Sequence, residues 1–281
     1  MVKMAQKLGE ILKFNAQEIQ ELSRAAYLCK ADLLTKMVYE FPSLEGIMGG
    51  IYARVSGEKQ KVATAIAEHY KPRTNDDGLP STKLAACLSV IDKLYNIIGF
   101  LGLGLIPSGS EDPFTIRRQV QGIVRILIQY QLEINIQELF DICYQELKGR
   151  LTVEEEELLD TFASIVKERF EVLMREEGVP RDLISAVKRV NFYSPAEVYL
   201  RLRKLMRIYD TKEFYMACKI VERTANIIKG EYFGEIGPDA TLFQLPEEKK
   251  LWEVYSINKD RIQKEVDRRN YDDVLILYAR T

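Results

Sequence analysis

The stretch DKLYNIIGFLGLGLIPSGSEDPFTIRRQVQGIVR, residues 92–125, decides how the rest of the chain is read. Gly99, Gly102, Gly104 and Gly109, with Pro107, break a helical apolar pattern into a turn. Asp112 then offers an N-cap and Pro113 suits the first helical position, where its missing N–H costs nothing and its fixed φ fits a helix start. A new helix is predicted from there. At about 100° per residue, Ile116, Val120, Ile123, Val124 and Leu127 share one side, while Arg118, Gln121 and Arg125 line the other with Arg117 on the flank. The pattern is that of a buried helix with a basic outer stripe.

Helix signals recur on both sides of this stretch, and strand signals hardly appear. Asn15 with Glu18 forms a capping-box pattern for a helix to about Glu40, stopped at Phe41-Pro42. A glycine-rich turn at 46–50 and a helix over 57–70 follow. The loop RTNDDGLP leads to Ser81, a cap for a helix through Ile98. Asn135 with Glu138 repeats the capping box and opens a helix that stops at Gly149. Thr152 with Glu155 marks the next start, and the acidic run Glu154, Glu155, Glu156, Glu157 favours the positive end of a helix dipole there. That helix reaches Glu177, with Gly178 and Pro180 behind it. Ser194-Pro195-x-Glu197 opens another, Thr211 caps one that ends at Gly230, and 246–267 and 270–280 complete the set after a long loop over 231–245. The fold class is therefore all-α. With 281 residues and roughly 150 per domain, two helical domains are expected, 1–150 and 151–281.

Composition narrows the function. Apolar residues make up 47% and charged residues 29%, as in a globular protein, and a net charge of −2 gives no overall basic field. Any nucleic acid must therefore be held by local patches. The cysteines Cys29, Cys87, Cys143 and Cys218 lie far apart in apolar helical patterns and form no C-x-x-C pair, so they read as buried free thiols of a cytoplasmic protein. The first residues, MVKMAQKLGEILKF, are amphipathic without a signal-peptide core. The longest apolar run, 97–106, is too short to span a bilayer, so no membrane partner is expected.

The first domain's helix order, with K-A-D at 30–32, E-H-Y at 68–70 and I-D-K at 91–93, resembles a degenerate HD-type phosphohydrolase core. That family binds a divalent metal through a histidine, a histidine–aspartate pair and a later aspartate, and the metal activates water. Here the degenerate positions are Asp32, His69 and Asp92. The pair is Ala31-Asp32, and His69 is the sole histidine, so two imidazole ligands cannot be assembled and no metal or catalytic residue is assigned. His69, at a helix end, reads as a structural cap.

Longer segments resemble the β subunit of bacterial heterotetrameric glycyl-tRNA synthetase: LCKADLLTKMVYEFPSLEGIMG at 28–49, AIAEHYKP at 65–72, DGLP at 77–80 and GLGLIPSGSEDPFTIRR at 102–118. The resemblance implies an HD-like helical domain contacting the tRNA acceptor region, followed by a DALR-type helical-bundle domain contacting the anticodon arm. It implies tRNA-Gly and the α subunit as partners in an α2β2 assembly, no DNA, and no cofactor in this chain, since the α subunit uses ATP and magnesium to activate glycine. Such a chain is a component of a ligase, inactive alone. The family's β subunit carries a long portion before the HD-like domain and more helix after the motif resembling YDDVLILYART. A fragment, or a split or reduced form, is therefore expected, with an uncovered apolar face prone to self-association.

In the second domain ERTANII at 222–228 is similar to a family K-R-V-x-N-I-L pattern. Arg223 and Asn226 match, whereas Glu222 and Thr224 depart from it. One helix earlier, Arg201, Arg203, Lys204 and Arg207 occupy the half opposite Val198, Leu202, Leu205, Met206 and Tyr209. Arginine suits phosphate through its planar fork of donors. Arg117, Arg118 and Arg125 are the RNA-binding candidates of the first domain, with Arg118→Ala and Arg125→Ala expected to leave the fold intact. The alternative is that Arg117 or Arg118 pairs with Asp92 or Asp112 and locks the glycine turn. Two other function classes fit: an HD-type metal-dependent nucleotide phosphohydrolase, disfavoured by the missing histidines, and a stand-alone helical tRNA-binding adaptor, which the same residues support equally.

Overall fold

The computed structural model describes residues 1–108, 111–190, 192–227, 238–268 and 270–280; Gly109 of the turn, the end of the helix expected at Gly230 and the first part, 231–237, of the expected loop over 231–245 lie outside them. Among the described residues there are helices and turns but no strand beyond an isolated bridge between Ser108 and Glu111. The first eight helices are α1 (Val2–Ile11), α2 (Ala16–Leu28), α3 (Lys36–Glu40), α4 (Ile47–Val55), α5 (Gln60–Glu68), α6 (Lys83–Gly102), α7 (Ile116–Gln129) and α8 (Ile136–Leu147). They are followed by α9 (Glu155–Glu176), α10 (Arg181–Arg189), α11 (Pro195–Ile208), α12 (Lys212–Ile227), α13 (Pro246–Asp267) and α14 (Tyr271–Arg280).

The chain divides into two compact units, Met1–Tyr199 and Leu200–Thr281. This division lies well past the 150/151 boundary expected from sequence. The reason is packing: α9 lies on α6, α7 and α8, and α10 lies on α9, so both belong to the first unit.

The hub of the first unit is α6. It packs against α1, α2, α5, α7, α8 and α9 and buries fifteen of its twenty residues. Its small residues Ala85, Ala86, Cys87 and Ser89 let neighbours approach from several sides, as a helix that is apolar all round requires. By length and composition this helix could cross a membrane, but 78% of the qualifying window is buried inside the fold. Around it stand Phe140, Phe162 and Phe170, among the largest fully buried side chains.

Local chemistry explains where the helices begin. Both capping boxes form: the Asn15 side chain accepts from the Glu18 N–H and Asn135 from that of Glu138, each glutamate returning the bond. Other starts are displaced. The helix from Asn15 ends at Leu28, and a 3-10 turn (Ala31–Leu34) intervenes before α3, because Asp32 is drawn inward. The glycines of 46–50 do not form a simple turn. Gly46 adopts φ 78° and Gly49 and Gly50 then open α4, because a Cβ on Gly50 would lie 2.6 Å from the Ala67 Cβ and 2.7 Å from the Ala63 carbonyl oxygen of α5. Ser81 is taken by the Glu68 carboxylate, leaving Thr82 to cap α6. Thr152 does not cap α9; its N–H and hydroxyl close the end of α6 through the Gly102 carbonyl. Thr211 caps α12 as expected.

The second unit packs α12 and α13 on α14. It has few fully buried side chains: Ala217 is the one buried residue of α12, and α13 buries none, with Val221, Leu251 and Ile257 exposed.

Candidate functional site

The DPF turn positions the arginines of α7 differently from the simple helical projection. The helix starts at Ile116, after Thr115 in the left-handed region at φ 55°, and not at Pro113. Asp112 still acts as the cap, from four residues back: its two carboxylate oxygens accept from the Ile116 and Arg117 N–H groups at 2.7 and 3.0 Å. A charged acceptor at the positive end of the helix dipole fixes this corner.

The expected basic stripe does not run the length of α7, because the helix is packed on α6 and on α9. Gln121 is buried and its amide reaches Glu176 at 3.4 Å. Arg125 is half-buried, its guanidinium donating to the Asn75 and Asp77 carbonyls at 2.9 and 3.0 Å, which ties down the RTNDDGLP loop. Arg117 is half-buried and donates to the Pro107 carbonyl at 3.3 Å, holding the glycine turn. Arg118 is exposed, and among the described residues no group pairs with it. It stands at a cleft of ≈ 280 Å³ whose lining includes Arg73, Lys93, Asn96, Thr115 and Gln119.

The cationic groups of that cleft differ in how far they are committed. Arg73 donates to the Glu45 carboxylate at 3.1 Å and the Glu45 carbonyl at 2.7 Å. Lys93 is buried and donates to the Tyr70 and Lys71 carbonyls and the Ser89 hydroxyl; burial pulls its ammonium down to about 8. Among the described residues Arg118 is therefore the cation of this rim with no partner. Asp112 supplies its rigidity.

Asp32, His69 and Asp92 are each fully or nearly buried, and Asp92, with Glu45, brings acidic groups to the lining of the same cleft. They do not converge as metal ligands. One Asp32 oxygen accepts from the Gly46 and Gly49 N–H groups at 2.7 and 3.0 Å, anchoring α4. His69 is the C-cap residue of α5; its Nδ1 lies 2.7 Å from the Ile66 carbonyl, so Nδ1 carries the proton and Nε2 accepts. Burial lowers its pKa to about 4, so it is neutral. Asp92 projects from α6 and accepts from the Lys30 ammonium at 2.7 Å. Among the described residues no group of three or more His, Cys, Asp or Glu side chains is placed to hold a metal ion. The donor set does not fit the metal that an HD-type core would carry.

In the second unit Arg203 and Arg207 are exposed on α11, and Arg223 and Asn226 are exposed on α12. Arg201 is half-buried, and Lys204 donates to the Asn270 side chain at 3.2 Å. Ile228, the last residue of the ERTANII pattern, lies outside the described residues.

The model of the family described as glycyl-tRNA synthetase beta subunit matches residues 1–189. The chain belongs to this family. The match to the glycyl-tRNA synthetase β family ends ten residues before the division between the two compact units at Tyr199. Among curated proteins the chain is similar to the glycine–tRNA ligase beta subunits of Halothermothrix orenii (38% identical, covering 94% of this chain and 38% of that protein) and Bacillus subtilis (34%, 99% and 39%). That of Persephonella marina is 34% identical, covering 98% of this chain and 41% of its own length. The chain thus spans about two-fifths of the curated relatives it matches.

Three side chains, Arg73, Lys93 and Lys30, have no role that the sequence pattern assigns. Arg73 and Lys93 join Arg118 only through the path of the loop after α5, which no local spacing reveals. Lys30 was visible only as the first letter of K-A-D, although a lone cation beside an apolar helix end was itself a sign of a buried partner.

Proposed function

We propose that this chain is the tRNA-binding portion of a glycine–tRNA ligase β subunit. In this reading the first unit contacts the acceptor region of tRNA-Gly and the second contacts the anticodon arm. The α subunit, joined in an α2β2 assembly in the cytoplasm, performs the ATP- and magnesium-dependent activation of glycine. The observation that carries the reading is Arg118, a guanidinium with no partner among the described residues, held on a carboxylate-capped corner of α7 and facing a cleft lined by Arg73 and Lys93 together with Glu45 and Asp92. A planar donor fork at a fixed position suits a phosphate oxygen pair. Such a contact sets the orientation of the RNA and carries no sequence information. Arg203, Arg207, Arg223 and Asn226 offer exposed donors of the same kind in the second unit, with Arg201 and Lys204 more constrained beside them. Arg117 and Arg125 act here by holding the turn and the loop that frame Arg118.

The donor set around His69 argues against the phosphohydrolase reading, since a lysine ammonium stands where charge on a metal would be needed. Chemical footprinting of tRNA-Gly with this chain tests the proposal, with protection expected at acceptor-stem and anticodon-arm phosphates. Aminoacylation after addition of the α subunit and the remaining β polypeptide separates a ligase component from a stand-alone adaptor. Protection absent from both regions would overturn the reading.

A further inference from the structure

Three electron-rich groups, Asp92 from α6 and His69 and Tyr70 from the end of α5, aim at one point beside α6. The Asp92 carboxylate lies 2.7 Å from the Lys30 Nζ, the His69 ring Nε2 lies 3.2 Å from it, and the Tyr70 ring centroid lies 4.0 Å from it. Asp92 and His69 are buried, so each would carry an unmatched acceptor if this point were empty. The His69 ring cannot turn away easily. His69 is fixed by its Nδ1 bond to Ile66 and by Tyr70, whose ring centroid lies 3.9 Å from its own. The neighbouring cation cannot replace Lys30, because the Lys93 ammonium is spent on two carbonyls and a hydroxyl.

We propose that this cluster is a built cation receptor, and that the Lys30 side chain is its permanently tethered primary-ammonium ligand. A primary ammonium is a compact charge with three donors on a flexible stem, which suits a carboxylate oxygen, an imidazole lone pair and a ring face arranged around one point. A divalent metal would find only Asp92 and His69 there, since among the described residues no third His, Cys, Asp or Glu side chain is placed to complete a metal site with them. The tether joins the end of α2, the C-terminus of α5 and the middle of α6, so the receptor fastens three helices around the cleft without any dissociable ion. The inference does not rest on the tRNA reading.

The test is chemical rescue. Lys30→Ala removes three methylenes and the ammonium, which is n-propylammonium in composition. Loss of one partner from a buried ion pair lowers the thermal midpoint by roughly 4–10 °C, allowing for the part-exposed lysine. Added n-propylammonium is expected to restore most of that loss saturably, with no effect on the parent protein, whereas 1-propanol and tetramethylammonium restore nothing. If Lys30→Ala fails to fold, Lys30→Met keeps the packing and loses the charge. Combined with Asp92→Asn, it should then be less destabilised than the sum of the two single changes. Rescue equal for propanol and propylammonium, tighter rescue by manganese than by the amine, or additive losses in the double variant would each overturn the proposal.

Discussion

Protonating His69 should weaken the first unit in acid. The imidazole is fully buried, its Nδ1–H is held by the Ile66 carbonyl and its Nε2 faces the Lys30 ammonium, so a second ring proton would be buried against a cation, only partly offset by the Asp92 carboxylate. Burial is the main cause, and it holds the folded pKa at about 4 against an ordinary value of 6.5. The folded value is the lower of the two, so between pH 6.5 and 4 the unfolded chain binds a proton that the folded chain does not. Stability supplied by neutral His69 is complete above pH 6.5 and is lost as the pH falls towards 4. At about 1.4 kcal/mol per unit, the full loss is about 3 kcal/mol, a large share of a typical domain's stability. The assay is urea unfolding at half-unit steps from pH 7.5 to 4.5, for the parent protein and for His69→Gln. Carboxylates such as Glu21 and Glu171, whose folded pKa values lie below the ordinary range because of hydrogen bonds to Gln17 and Lys188, titrate in both proteins and cancel in the difference. The parent should lose about 2–3 kcal/mol more than His69→Gln across this range. A difference that stays flat would show that the imidazole is not confined as described.

The remaining predictions concern packing, thiols and the loop before α6. Phe140, fully buried and 6.5 Å from Phe162 ring to ring, should cost about 3–5 kcal/mol when replaced by alanine, read as a lower urea midpoint for the first unit. Cys29, Cys87 and Cys143 are buried, with burial pushing each thiol up to about 12, whereas Cys218 is exposed. A thiol-disulfide reagent should therefore label Cys218 quickly in the native protein and the other three only in denaturant. Arg125→Ala should release the RTNDDGLP loop to limited proteolysis near Asn75 while the helical circular dichroism signal is retained, because the loop carbonyls lose both donors.

Much of this fold was legible in the chain because helix starts are written in short-range chemistry. Asn15, Asn135 and Thr211 each cap from a position that the sequence marks, and 246–267 is a helix as its pattern predicts. What local reading missed came from contacts distant in sequence. Thr152 looked like a cap but bonds Gly102, fifty residues away, and Gly50 looked like a turn but is a close-approach residue against α5. Gln121 and Arg125 read as an outer face because projecting one helix shows its apolar side and says nothing of α9 arriving on Gln121 or of the RTNDDGLP loop arriving on Arg125. Cys218 sits in an apolar pattern yet is exposed, since α12 buries little. The candidate site was legible to the same degree. Arg118 follows from the DPF turn, but its company of Arg73 and Lys93 depends on how the loop after α5 folds back over α6.

In the proposed function Arg118, without a partner among the described residues, meets the phosphate backbone of tRNA from a corner fixed by Asp112. Equilibrium binding of tRNA-Gly over a salt series, for the parent chain and for Arg118→Ala, tests it most directly. Loss of one phosphate contact should weaken binding at low salt and make the slope of log affinity against log salt shallower by about 0.7–0.9, with unfolding curves unchanged. Equal affinities and equal slopes for the two proteins would rule out a phosphate contact at Arg118.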